Sequence, residues 1–284
     1  MKNNIPVYAR FQWLNHGKVA QVVEKFLPKH KRGRKGYDKV QMFLWLMYKQ
    51  LMNCSYRDLE SMTGIDYSTF IKFRNRLQNT NWFEKTFKYL SSSIASQLNI
   101  LNLILDSSFV ETYSKHEEYG SGYSGYKEKE GYKLHQFLDF ETRLPVLSCV
   151  SSGNVHDIEG GKALLQRAPP IWNVQSFAAD KGYDSEYFVK SIYEKWKVKD
   201  IAIPLRDFPT GNELNRKKRG FRRSRKKSVY RKRTEIERYF SRKKGVFNLG
   251  EEKTRHLKNF RDNCCLTSIM EILEWLSKNE NFQV

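Results

Sequence analysis

No apolar run in this sequence approaches the roughly 18 residues that cross a bilayer. Its most hydrophobic stretch, MFLWLMYKQLM from Met42, is interrupted by Lys49 and Gln50, which fits a buried helix and not an anchor. No apolar h-region with a small-residue cleavage site opens the chain, so no secretory signal is expected. Cysteine is scarce: Cys54, Cys149 and the adjacent pair Cys264 and Cys265. Neighbouring cysteines rarely bridge each other and no CxxC spacing occurs, so a zinc site or disulfide scaffold is not expected, whereas reduced thiols in the cytoplasm are. Acids are short against bases, with 31 Asp plus Glu facing 51 Lys plus Arg for a net charge of +20. Such an excess points to a polyanionic partner, nucleic acid above all, because phosphate contacts supply most non-specific affinity. Ribosomal proteins and membrane-surface binders share this balance. No internal repeat is present.

The 284 residues suffice for about two domains. The first, residues 1–98, reads as helical. A short strand or arm precedes the helix pattern HGKVAQVVEKFLPKH, and a basic linker runs from Lys29 to Tyr37, either a solvated loop or an arm on phosphates. An apolar helix is predicted over 38–54. In SYRDLESMTGIDYSTFIKFRNRLQ, Ser55 and Asp58 come close to a capping box, Gly64 ends one helix, and Asp66 to Ser68 cap the next, which carries Lys72, Arg74 and Arg76. Helix, glycine turn and basic helix form the pattern of a helix-turn-helix that reads DNA. Simple packing or dimerisation produces the same pattern. Residues 79–98 continue helical, with Trp82, Phe83, Phe87 and Leu90 as core contacts.

The character changes at residue 99. LNLILDSSFVET, YKLHQFLDFET and RLPVLSCVSSG read as strands, the latter two joined by a turn near Glu141 to Arg143. A helix (HDIEGGKALLQRA), a strand (VQSFAAD), a helix (SEYFVKSIYEKW) and a strand (DIAIPL) follow. This order predicts an α/β domain with a mixed sheet over 99–284. The domain includes a basic stretch at 216–233 with Arg222 and Arg223, the helix TEIERYFSRKKG, and a closing helix in NCCLTSIMEILEWL.

Two acids stand at ends of apolar runs: Asp106 after LNLIL and Asp180 after SFAA. A carboxylate at the mouth of a sheet is costly unless paired, hydrogen-bonded or metal-bound, and open α/β sheets place ligands at such carboxyl ends. Either acid also suits a simple turn. A third element is more specific. Tyr230, Arg233, Glu237 and Lys244 are spaced by three, four and seven residues, which on a continuous helix confines them to an arc of about 60°. One acid among bases on one face is either a solvated salt-bridged face or part of a site. Two Mg²⁺ ions held by the three carboxylates would serve phosphodiester chemistry, with Arg233 and Lys244 on adjacent phosphates.

These residues resemble the DDE transposases of bacterial and archaeal insertion sequences. The strongest part is the tyrosine-arginine-glutamate-lysine signature, met by Tyr230, Arg233, Glu237 and Lys244. ADKGYDS from Ala179 resembles the second-acid motif, LDSSFVE the first-acid strand, and YKLH and GNVHD further family segments. The resemblance implies an RNase H-like catalytic core behind an N-terminal helical domain for DNA binding and assembly. Catalysis then falls to Asp106, Asp180 and Glu237, which bind two Mg²⁺ or Mn²⁺ ions. It further implies cleavage at inverted-repeat ends of double-stranded DNA, attack of the 3′-hydroxyls on target DNA, and a homo-oligomeric synaptic complex away from any membrane. Asp180 and Glu237 lie 57 residues apart, too few for the large β insertion of some relatives; the basic stretch stands in its place.

Secondary residues have two readings each. His135 either approaches the metals or phosphate, or is a satisfied strand histidine. Lys133 is a phosphate contact or a solvated lysine, and Asp157, after His156, orients the site or caps the following helix, capping being favoured. The loop from Tyr119 to Tyr126 is a platform for unpaired bases or a plain loop. Rival functions are a non-catalytic DNA-binding descendant, a stand-alone metal-dependent nuclease, and a basic structural RNA-binding protein.

Overall fold

The computed structural model describes residues 9–28, 36–113, 117–198, 200–204, 227–279 and 281–282. A 3-10 turn over Ala9–Asn15 leads into α1 (Gly17–Phe26). In α2 (Lys39–Met52) the Asp38 carboxylate accepts from the Val40 and Gln41 N–H groups, and Met42 through Tyr48 are buried without a break. A helix apolar on every side needs neighbours all round it. Those are α1, α3 (Tyr56–Thr63), α4 (Tyr67–Asn79) and α5 (Trp82–Leu98). Ser55 and Asp58 exchange the reciprocal bonds of a capping box. α3 stops at Gly64, whose φ of 69° is the left-handed conformation that favours glycine, and Asp66 caps α4.

β1 (Leu101–Thr112) is the axis of the mixed sheet. It pairs antiparallel with β3 (Lys129–Asp139), which also carries the short β2 (Gly122–Ser124) and β4 (Pro145–Ser152). On its other side β1 pairs in parallel with β5 (Val174–Ala179), reached through α6 (Asp157–Arg167). α7 (Glu186–Trp196) then crosses to the parallel β6 (Asp200–Ala202). The order is thus β4-β3-β1-β5-β6, a three-stranded antiparallel meander continued by two parallel strands, which is the RNase H-like arrangement with an N-terminal helical region. After α8 (Lys227–Arg231) and α9 (Thr234–Gly245), β7 (Glu251–Glu252) pairs with the far end of β1, and α10 (Leu257–Lys278) closes the order.

Alternation along β1 separates two cores. Leu103 and Leu105 face α6 and α7, whereas Ile104 and Val110 face α9 and α10. The distal half of α10 leaves the sheet and packs into the N-terminal helices, so Cys265, Ile269, Met270 and Leu273 share a core with Phe43, Phe70 and Phe83. α6 lies close enough on the sheet that a Cβ on Gly160 would fall 2.2 Å from the His135 ring, an approach open only to glycine.

Candidate active site and nucleic-acid contacts

β5 ends where β1 continues. Leu105 is paired with Ala179, so Asp106 and Asp180 are the next residues on two neighbouring parallel strands. Asp106 faces the α9 side, one residue off the Leu103 and Leu105 face. One oxygen accepts from the Ser107 N–H at 2.8 Å and the other is 3.8 Å from the Arg233 guanidinium. Burial pushes the Asp106 carboxyl up to about 7, and the charges of Asp180 and Asp157 add to the rise against the Ser107 N–H and Arg233. Asp180 opens a 3-10 turn over Lys181–Tyr183 and accepts from the Gly182 N–H. That turn tucks the buried Tyr183 ring beneath the acids. Burial and the charges of Asp106, Asp157 and Asp180 hold its phenol well above its ordinary range.

Glu237 comes from the first turn of α9 and pairs with Arg233 at 2.7 Å. The same guanidinium therefore joins Glu237 to Asp106. Burial opposes its charge, but Glu237, Tyr230 and Asp106 outweigh it and raise the Arg233 pKa. The guanidinium carbon also lies 5.7 Å from the Tyr230 ring centroid. Lys244, at the end of α9, donates to the Phe109 carbonyl of β1 at 2.9 Å. Desolvation and the nearby Lys127 charge lower its pKa. The four signature residues are thus gathered on the Asp106 face, but not by one helix. Residues 232 and 233 break the chain between α8 and α9, and Tyr230 sits on the short preceding helix. The single-helix expectation is corrected accordingly.

Other expected contacts are placed differently. His135 has no exposed surface; its Nε2 shares a hydrogen bond with Ser151 Oγ at 2.8 Å, and burial lowers its pKa to about 4. Direct phosphate contact is closed to it, so the DNA-binding reading is corrected to that of a buried strand histidine, bonded at Nε2 and with Nδ1 unpartnered among the described residues. Lys133 gives its ammonium to Asp157 at 2.9 Å and to the Val155 carbonyl at 2.8 Å. Asp157 is a tie and not a cap: it accepts from Ser107 Oγ at 2.7 Å as well as from Lys133. Burial raises its pKa, yet these bonds outweigh burial and leave it lowered. Ser107, Asp157 and Lys133 thus brace β1 from the α6 side, a role the sequence did not suggest for Ser107. On α4, Lys72 and Arg76 are exposed. Arg74 turns inward to Asn263 of α10 and Tyr56, so its expected DNA contact is corrected to a packing role. Arg222, Arg223 and the arm at 29–35 lie outside the described residues.

The donor set at the sheet ends is carboxylate oxygen, the ligand type a hard divalent cation takes. Burial is the main cause of the raised Asp106 pKa, and the neighbouring charges of Asp180 and Asp157 add to it against Arg233. Asp106 and Asp180 fit such an ion. Among the described residues, however, no group of three or more His, Cys, Asp or Glu side chains is gathered at metal-holding distance, since Glu237 is drawn to Arg233.

Residues 100–270 match the family model described as the transposase DDE domain. No curated protein sequence matches the chain. Among solved structures, the cryo-EM structure of a piggyBac transposase synaptic complex with hairpin DNA aligns over 97% of this chain and 76% of that one, at 12% identity and a TM-score of 0.46.

Proposed function

Because this chain belongs to the DDE-domain transposases, a family its match over residues 100–270 shows, we propose that it cuts DNA at the ends of a mobile element and joins the freed 3′-hydroxyls to target DNA. The observation that carries this reading is the juxtaposition of Asp106 and Asp180 on neighbouring strand ends, with Glu237 joined to Asp106 through Arg233. In this proposal Asp106 and Asp180 hold divalent cations, Mg²⁺ or Mn²⁺, and Glu237 completes the set once its pair with Arg233 is exchanged. Such ions would supply Lewis acidity at phosphorus and lower the pKa of an attacking hydroxyl.

The protein's own residues do the rest. Arg233, released by Glu237, is the fork that grips a phosphate bidentately, and Lys244 is a point charge for its neighbour. Tyr230 borders the guanidinium and its exposed ring faces the same approach. Asp157 and Lys133, locked to each other and to Ser107, fix the backbone beside Asp106 so that its carboxylate needs no reorganisation on binding. Lys72 and Arg76 on α4 contact the duplex, and the helical region assembles two or more copies around paired ends.

Supercoiled DNA carrying the repeats that flank the gene, incubated with the protein and Mg²⁺ or Mn²⁺, should be cut at the repeat boundaries and yield joined products when target DNA is added. Asp106→Ala should abolish both. Tight repeat binding by both proteins without metal-dependent cutting would overturn the catalytic reading in favour of a DNA-binding descendant.

A further inference from the structure

Away from the carboxylates, a cleft of about 640 Å³ opens where α5, α10 and the outer edge of β4 meet. Among the described residues β4 pairs only with β3, so the floor from Leu147 to Val150 is a sheet edge without a further ladder. The walls carry four bases: Lys88 of α5, Arg167 at the end of α6, and Lys258 and Arg261 of α10. A single acid, Glu84, faces them. Its two oxygens are divided, Oε1 on Arg167 and Oε2 3.4 Å from Arg261. Lys88 and Lys258 are exposed and close no ion pair among the described residues.

A carboxylate shared between two guanidiniums occupies the place of a phosphodiester with its two non-bridging oxygens. We propose that this cleft is a DNA-backbone site, in which a phosphate of the bound strand displaces Glu84 from between Arg167 and Arg261 while Lys88 and Lys258 neutralise the adjoining phosphates. Two other occupants fit less well. Long cations along a free edge are what sheets use to block strand addition, which disfavours an extended peptide on β4. A second copy of the chain would bring its own +20 charge towards four bases. The partner's identity rests on the transposase reading; the anion geometry does not.

The test measures binding of a short labelled duplex carrying the flanking repeat, in EDTA so that no cutting intervenes, between about 50 and 200 mM salt. Each phosphate neutralised contributes about 0.9 to the slope of log affinity against log salt. Lys88→Gln/Lys258→Gln should therefore lower that slope by about 2, so that across this range the wild type loses about tenfold more affinity than the variant. Glu84→Gln, which takes the acid from Arg167 and leaves Arg261 with Asp262 alone, should bind more tightly and steepen the slope by about 1. All of these side chains are wholly or partly exposed, and unchanged melting temperatures would show the variants folded. Wild-type slopes in both variants overturn the proposal. So does a shift in sedimentation with unaltered DNA binding, which would make the cleft a protein interface. Cutting by the wild type alongside unchanged slopes removes the cleft and leaves the transposase reading intact. Altered slopes without any cutting do the reverse.

Discussion

Lys243 is the sharpest place to perturb the packing behind the third acid. It lies on the buried side of α9, about 120° round the helix from Glu237, is 1% exposed, and spends all three ammonium protons inside the protein. They go to Tyr239 Oη and Ser268 Oγ, each at 2.8 Å, and to Glu271 Oε2 at 2.9 Å. Lys243→Met keeps the length and apolar stem but strands the Glu271 carboxylate, which is 3% exposed, with only the Tyr239 hydroxyl as donor. Breaking one side of a buried pair costs about 3–5 kcal/mol. For a chain of this size that corresponds to a fall of roughly 10 °C in melting temperature. Removing both charges, in Lys243→Met/Glu271→Leu, should restore more than half of the loss, because neither ion is left alone. Calorimetry with urea titration reads both variants. A single variant within about 2 °C of wild type, or a double variant melting no higher than the single, would falsify the account of a coupled buried pair.

Four further outcomes follow from groups described above. Asp106, with its carboxyl pushed up to about 7, binds its proton more tightly folded than unfolded; its stabilisation is full below pH 3.8 and lost as pH rises through 7. Urea titrations of the metal-free protein at pH 5.5 and 8 should show that loss, and Asp106→Asn should flatten it; equal pH dependence in both proteins refutes the assignment. His135 works the other way, since a pKa lowered to about 4 means stability present above pH 6.5 and lost as pH falls through 4, a limb that His135→Asn should weaken. Arg74→Ala should cost about 1–2 kcal/mol of stability and leave the salt dependence of DNA binding intact, whereas Lys72→Gln/Arg76→Gln should keep stability and lower the salt slope by about 2. A thiol reagent should label Cys54 first in the native protein, because burial holds Cys149 and Cys265 up to about 12 and holds Cys264 well above its ordinary range; prompt labelling of the adjacent pair would contradict the packing of α10.

Much of this was legible locally. The apolar strand LNLIL, buried at all five positions, the capping box at Ser55 and Asp58, and the glycine stop at Gly64 are properties of short windows, and the structure has them. The inward turn of Arg74 was also readable. Phe70, Phe73, Arg74 and Leu77 share a stripe at helical spacing, and a base in an apolar stripe points inward. The same reading of Ile236, Tyr239, Phe240 and Lys243 exposes the buried lysine. What the sequence withheld was long-range. Nothing local announces that Asn263 meets Arg74, that Asp157 reaches Ser107 fifty residues earlier, or that Glu84 lies between Arg167 and Arg261. The signature spacing overstated helical continuity, because a turn at 232–233 achieves the same convergence by another route.

The sharing of α10 between the sheet and the N-terminal helices has a consequence in time. Side chains from Phe43 to Phe83 leave a ribosome long before Ile269, Met270 and Leu273, the partners that complete their core. At about 5–20 residues per second, roughly 10–30 s of synthesis separate the end of α5 from the start of α10. Throughout that interval the helical region carries unmatched apolar surface, and contacts of such long sequence separation are slow to form once their partners exist. That surface stays uncovered until α10 emerges, and the basic face of α4 gains its rigid backing only then.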